Sequence, residues 1–223
     1  MSINPINTYE EAVELIHKVG ILPLARLIPT HPSLVSVTPE KSWHTGTEFD
    51  PWRWRTRFAA DGHAAYGKFL KKKAVFISRK IFPYVQEILG SERAISARYK
   101  DGMVTEPAVR LFDIIQEEPG VETRALRLKA GLQNKDSKKR YDHGINELQG
   151  SLDIVIAGVS EKKNRLGDIS GWSSTSFQTA EQWMQENRIK RSQVGEEKAR
   201  EKLYSHLEAV CQPEAITFLK KLL

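Results

Sequence analysis

Between Thr105 and Thr179 the chain runs through one order of elements that few folds accept. "TEPAVRLFDIIQEEPG" opens with Thr105 as a cap and Pro107 in the first turn, and it turns Leu111, Phe112 and Ile115 toward a core. "VETRALRLKAGL" reads as a short helix stopped by Gly131, and "SKKRYDHGINELQGSL" as a third helix. "DIVIAGVS" is a strand of buried character, "EKKNRLGDISG" a polar loop and "WSSTSFQT" a returning strand. Helix, helix, helix, strand, loop, strand is the order of a winged helix, a helix-turn-helix variant. In its third helix Tyr141, Ile145, Leu148 and Leu152 share one face, which must pack inward. The spacing predicts that Lys139, Asp142, His143, Asn146 and Gln149 lie opposite, where Lys meets phosphate and Asn and Gln meet adenine edges. The helix opens with Lys138, Lys139 and Arg140, and the following loop, as a wing, adds Lys162, Lys163 and Arg165.

The first half is read from local signals. Thr8 and Glu11 have capping-box spacing, Ala12, Leu15, Ile16 and Val19 form a stripe, and Gly20 stops the helix. "ILPLARLIPTHPSLVSVTPEK" holds four prolines and reads as a loop with short extended pieces. Asp50 then Pro51 starts a helix running to about Ala60, with Gly62 beyond it. Trp54 and Phe58 share a face that packs the core, Arg53 and Arg57 share another, and Trp52 falls with Arg55 and Thr56. Two β-prone arms, Ala65–Leu70 and Ala74–Ser78, flank a basic turn at Lys71–Lys73. "SRKIFPYVQEILG" is expected as a helix capped by Ser78 with Pro83 near its middle, and "SERAISARYKDGM" as a polar connector. The tail is expected as one long charged helix through "NRIKRSQVGEEKAREKLYSHLEAV" and a short amphipathic one through "PEAITFLKKLL". The expected fold is α+β and helix-rich, with tandem winged-helix modules, short β-hairpins and a C-terminal helical tail. Its expected divisions are 1–100, 101–184 and 185–223.

Composition narrows the function classes. A chain of 223 residues, 40% hydrophobic and 28% charged, suffices for a real core. No apolar run approaches the roughly 18 residues that a membrane span needs. No basic stretch leads into an apolar one at the start, so no signal peptide is expected. The single cysteine, Cys211, excludes an intrachain disulfide and a Cys-based zinc site, and a cytoplasmic location is expected. Net charge is +6, and its distribution says more than its size. From Thr123 to His143 seven Lys and Arg face two acids, which leaves about +1 for the rest of the chain. A focused patch of this kind points to a polyanion, and the expected partner is double-stranded DNA, with no membrane, metal or other cofactor.

"AAYGKFLKKKAVFISRKIFPYV", the helix–strand run above and "INELQGSLDIVIAGVS" together resemble the AlkZ-like (YcaQ-like) winged-helix family. Its founding members are bacterial DNA glycosylases that unhook interstrand crosslinks and remove alkylated bases. The chain is closer still to short bacterial AlkZ-related proteins, over roughly Tyr9 to Met184. The resemblance implies tandem winged helices around a DNA-binding cleft. It also implies a Gln-x-Gln or Gln-x-Asp pair, shortly after the first helix, that positions the hydrolytic water. The matching stretch, "HKVGILPLARLI", has neither glutamine nor carboxylate, so no catalytic residue carries over. His44, Glu48, Asp50 and His63 are the alternative acid–base candidates, although Asp50 is already explained as a helix cap. Trp43, His44, Tyr66 and Lys68 are candidates to line the cleft, where aromatics could stack on a base, although an aromatic staple closing the helix is the preferred reading of Trp43 and His44. Duplex DNA binding without glycosylase chemistry is the favoured reading. A glycosylase with relocated catalytic groups, a transcriptional regulator and a protein-interaction winged helix are the rivals.

Overall fold

The computed structural model describes residues 5–160 and 174–223. Its first part runs through α1 (Tyr9–Val19), β1 (Ile21–Pro23), α2 (Leu34–Val37), α3 (Pro51–Ala60), β2 (Ala64–Leu70) and β3 (Lys73–Ser78). Helices α4 (Phe82–Leu89) and α5 (Ile95–Lys100) follow. The second part runs through α6 (Glu106–Glu117), β4 (Val121–Glu122), α7 (Thr123–Lys129), α8 (Lys138–Gly150), β5 (Ile154–Ser160) and β6 (Ser174–Thr179). Helices α9 (Ala180–Glu186), α10 (Glu196–Val210) and α11 (Pro213–Leu219) complete it. The two parts share one order: helix, strand, helix, helix, strand, strand. Their three-stranded antiparallel sheets also share a strand order, β1-β3-β2 and β4-β6-β5. The chain is a helix-rich α+β fold, and the same topology occurs in it twice.

Local chemistry explains the best-defined elements. Thr8 and Glu11 form the capping box, and Tyr9, Ala12, Leu15, Ile16 and Val19 are buried. Asp50 caps α3 and is itself 1% exposed. Its carboxylate accepts the backbone N–H of Trp52 at 2.9 Å and those of His44 and Gly46 at 3.0 Å each, so the loop before the helix is tied to the helix start. Trp54 and Phe58 are fully buried, with Phe58 stacked on Tyr9 at 5.0 Å and edge-on to Phe76 at 5.2 Å. The β2–β3 hairpin turns at Lys71 and Lys72, both left-handed, with φ of 48° and 58°.

Several sequence expectations are corrected. Pro83 sits in the first turn of α4, where its missing N–H costs nothing, and Ser78 ends β3 instead of capping the helix. The four-proline stretch holds the expected short extended piece, β1, and adds the one-turn helix α2, capped by Ser33. Val121 and Glu122 pair with Phe177 and Ser176 of β6 before α7 begins. The tail does not start as one long helix: α9 ends at Glu186 and α10 begins after Gly195. The polar connector holds helix α5, and it carries a charge into the interior. Arg98 is 4% exposed and its Nη2 donates to Asp153 Oδ1 at 2.7 Å.

The first sheet is buried on both faces, which is why its arms read as nearly unbroken apolar runs. Tyr66 and Phe76 face a core shared with α1, α3, α6, α8, β5 and β6. Ala65, Phe69, Val75 and Ile77 face a second core built with α4, α9, α10 and α11. Strand β2 packs on β5 and α8, and α3 packs on β5. Gly144 of α8 makes the crossing with α6 possible, because a Cβ there would lie 3.1 Å from the Ala108 nitrogen and 3.2 Å from the Pro107 carbonyl carbon.

Removing one partner of a buried pair leaves an uncompensated charge, so Arg98→Ala should destabilise the protein by about 3–5 kcal/mol. Chemical denaturation measures this, and a loss under about 1 kcal/mol, the size of an exposed pair, would contradict the assignment.

Candidate nucleic-acid interface

Helix α8 is the third helix of the second repeat, the position that reads DNA in helix-turn-helix proteins. Its inner side is Tyr141, Gly144, Ile145, Leu148 and Gln149. Its outer strip is Lys139, Arg140 and His143, all exposed. Lys138 is exposed and paired with Asp142, one turn on, while Arg140 pairs with Glu106 of α6 at 3.1 Å. Lys139 has no ion pair among the described residues.

Two polar residues depart from their expected roles. Gln149 is 1% exposed, not outward-facing. Its Oε1 accepts the Lys68 N–H at 2.8 Å and its Nε2 donates to the Ile145 carbonyl at 3.2 Å. The physical reason is that Gln149 lies four residues after Ile145 and so shares the buried face. Asn146 is half-buried, and its carboxamide oxygen is enclosed without a hydrogen-bond partner among the described residues. Bidentate reading of adenine needs that oxygen as an acceptor, so Asn146 must change rotamer before it can serve.

The charge of the Thr123–His143 segment is partly spent within the fold. Lys129 pairs with Glu118. Arg127 donates to the carbonyls of Leu132, Gln133 and Asn134 at 2.9, 3.2 and 3.3 Å, fastening the α7–α8 connection. Arg124, Lys135 and Lys139 remain exposed, without an ion pair among the described residues. The pairs made by Lys129, Lys138 and Arg140 are solvent-exposed, worth about 0–1 kcal/mol each, and a phosphate can displace them. Lys162, Lys163 and Arg165 lie outside the described residues.

Of the expected cleft residues, Trp43 and His44 lie side by side, with ring centroids 6.3 Å apart, while Tyr66 and Lys68 stand apart on β2. Tyr66 is 3% exposed and stacks on Phe76 at 4.8 Å, because alternation along β2 turns it into the core. Trp43 is half-buried against the first core and donates its Nε1–H to Thr38 Oγ at 2.9 Å. Lys68 exposes its side chain on β2. His44 alone joins an exposed aromatic surface, with its ring 4.9 Å from that of Trp52. The acid–base candidates separate as well. Asp50 is consumed as a cap, Glu48 lends its carbonyl to the Trp54 indole at 2.6 Å, and His63 lies beyond the other end of α3.

His63 belongs to a row that sequence reasoning missed. Its Nδ1 lies 3.4 Å from His17 Nε2, and His17 Nδ1 lies 3.2 Å from the buried Ser78 hydroxyl. Burial, then the neighbouring His63, Lys80 and Arg79, push the His17 pKa below its ordinary value. Burial does the same to His31 and, with Lys80, to His206. The residues of this row are 46 and 61 positions apart in sequence, so no local pattern announces it. A separate cleft of about 640 Å³ lies among α4, α5, α6 and the start of α10. Six carboxylates and three arginines line it, a balance that repels a polyanion.

A family model described as AlkZ related matches residues 6–223 and covers the stretches that carry the resemblance. No curated protein and no solved structure matches the chain.

Gln149→Ala removes two hydrogen bonds, one of them fully buried, and strands the Lys68 amide, so it should cost about 1–3 kcal/mol. His143→Ala, two residues from the core face, should stay within about 0.5 kcal/mol. Equal costs in denaturant titration would mean that α8 is rotated from this placement. Acid should also act through the histidines. Folded His17, His31 and His206 bind protons less readily than in the unfolded chain, where the pKa is about 6.5. Their contribution is therefore complete above about pH 6.5 and is lost as pH falls from there toward their folded values. The melting temperature should drop between pH 7.5 and 5.5 at constant ionic strength, and less so in His206→Gln; an unchanged acid slope in that variant would remove His206 from the account.

Proposed function

This chain belongs to the AlkZ-related family, and from that premise we propose a winged-helix protein that binds duplex DNA without base-excision chemistry. In this reading residues 1–100 and 101–184 are the two winged-helix modules and 185–223 a helical tail, acting in the cytoplasm in DNA repair or damage tolerance. The doubled helix–strand–helix–helix–strand–strand topology supports the modules. The observation that carries the binding surface is the outer strip of α8, where Lys139 and His143 stand one turn apart between displaceable ion pairs. Phosphate contacts from Lys138, Lys139 and Arg140 supply affinity, and His143, Asn146 and the wing residues Lys162, Lys163 and Arg165 adjust register.

Loss of excision chemistry rests on β1. The strand that follows α1 is buried along its whole length and offers no carboxylate or carboxamide side chain to hold a water. One observation favours the rival reading of relocated catalysis. His17, at the end of α1, is half-buried, biased toward its neutral form and in contact with His63. His17 and His63 are the residues that such an enzyme would use as a base.

Duplex affinity should fall steeply with salt, and replacing Lys138, Lys139 and Arg140 together by alanine should flatten the log–log slope by up to about three phosphate contacts. A slope unchanged by the triple variant would put the DNA surface elsewhere. Incubation with alkylated or crosslinked duplex should release no base; abasic sites accumulating with turnover would favour the rival, and His17→Ala and His63→Ala would then identify its base.

A further inference from the structure

Helix α3 occupies in the first repeat the place that α8 has in the second. Its outer face is unlike that of α8. Trp52 is 36% exposed and Phe49, just before the helix, is 51% exposed. The Arg55 guanidinium lies 3.5 Å from the Trp52 ring centroid, and its Nε is held by the Trp52 carbonyl at 2.9 Å. The His44 ring lies on Trp52 at 4.9 Å with a 50° tilt. Asp50 fixes both partners by accepting their backbone N–H groups, so this exposed stack is ordered from beneath. The helix itself carries three arginines and no acid. The Asp50 carboxylate is buried, so Glu48 is the exposed carboxylate of the adjoining loop.

Exposed flat rings, a guanidinium stacked on one of them and a cationic helix are what an unpaired base and its flanking phosphates require. A fully paired duplex hides its base faces and cannot use the rings. We propose that the surface formed by His44, Phe49, Trp52 and Arg55 is a stacking site for an unpaired nucleobase of DNA. It rests on the reading of the chain as a DNA-binding protein, and it adds a preference for locally unpaired DNA over intact duplex. The base stacks against the exposed His44 and Phe49 rings beside Trp52, whose other neighbour, the Arg55 guanidinium, lies toward its phosphates.

The test compares a paired duplex with the same duplex carrying one extrahelical 2-aminopurine, using the full chain. The native protein should bind the bulged duplex roughly tenfold more tightly, within the range that stacking one base gives, and should quench the 2-aminopurine. Trp52→Ala and Phe49→Ala, both at exposed positions, should lose the preference and the quenching while keeping paired-duplex affinity; Trp52→Phe should retain most of both. The Lys138, Lys139 and Arg140 triple variant should weaken both duplexes alike, which separates this site from the α8 surface. Equal affinity of the native protein for the two duplexes, or a preference that survives Trp52→Ala, overturns the proposal and leaves duplex binding standing, with the ring surface then assigned to a protein contact. Failure of the native protein to bind either duplex overturns the DNA-binding reading and this proposal with it.

Discussion

Strand β2 is the edge of its sheet, and an edge strand leaves backbone N–H groups without a ladder partner. The pairing with β3 is irregular between Gly67 and Leu70, and Lys68 lies within that stretch. Gln149 of α8 takes the Lys68 amide, approaching so closely that a Cβ on Gly67 would lie 3.2 Å from its oxygen. The second sheet also ends on an edge, β5, and α3 packs on it. Each repeat thus packs its third helix on the outer strand of the other repeat's sheet. Trp183 adds a tie on the same seam, donating its indole N–H to the Ala59 carbonyl at the end of α3 at 2.8 Å. The arrangement consumes one side of both helices that a winged helix would offer to DNA. What remains is a strip of basic residues on α8 and an aromatic–arginine stack on α3.

The two kinds of charge in the molecule behave differently for one reason, access to water. Arg98 and Asp153 are held between α5 and the start of β5 with side chains 5% and 11% exposed, where breaking the pair is costly. Lys138, Arg140 and Lys129 sit in pairs at least a third exposed on each side, where solvent already competes. The first pair fixes architecture. The others keep positive groups at the surface, oriented and available to a stronger anion than a carboxylate.

Elements set by neighbours in sequence are legible in the sequence itself. Thr8 with Glu11, Asp50 with Pro51, the Trp54–Phe58 face and the hairpin arms all depend on contacts within a few residues. The helix and strand order of the second half rests on the same local signals, and the family match spans them. What the sequence hides is long-range. The polarity of Gln149 argues for an outward position, yet its i+4 relation to Ile145 places it inside, and the reason it is tolerated there is an amide 81 positions away. Arg98 reads as part of a polar connector because its carboxylate lies 55 positions on. Strand β4 has two residues, too few for any periodicity, and exists because β6 offers an edge. The aromatic stack at α3 is half visible: helical spacing puts Trp52 and Arg55 on one face, but only the Asp50 cap brings His44 onto it.

The β2–β3 turn carries an implication for how this sequence would respond to selection. Lys71 and Lys72 both adopt left-handed backbone, which costs a residue with a Cβ roughly 1 kcal/mol or more and which Asn-Gly accepts readily. Lys71 recovers part of that through the Phe218 ring, 4.9 Å from its ammonium, and Lys72 makes no such ring contact among the described residues. A search for heat tolerance alone would replace this pair early, since the tip is exposed and the turn would relax. Lys71, Lys72 and Lys73 together place positive charge at the hairpin tip against the preference of the backbone at the first two. Under such a search Lys72 would be replaced unless the cation at that tip contributes something besides stability.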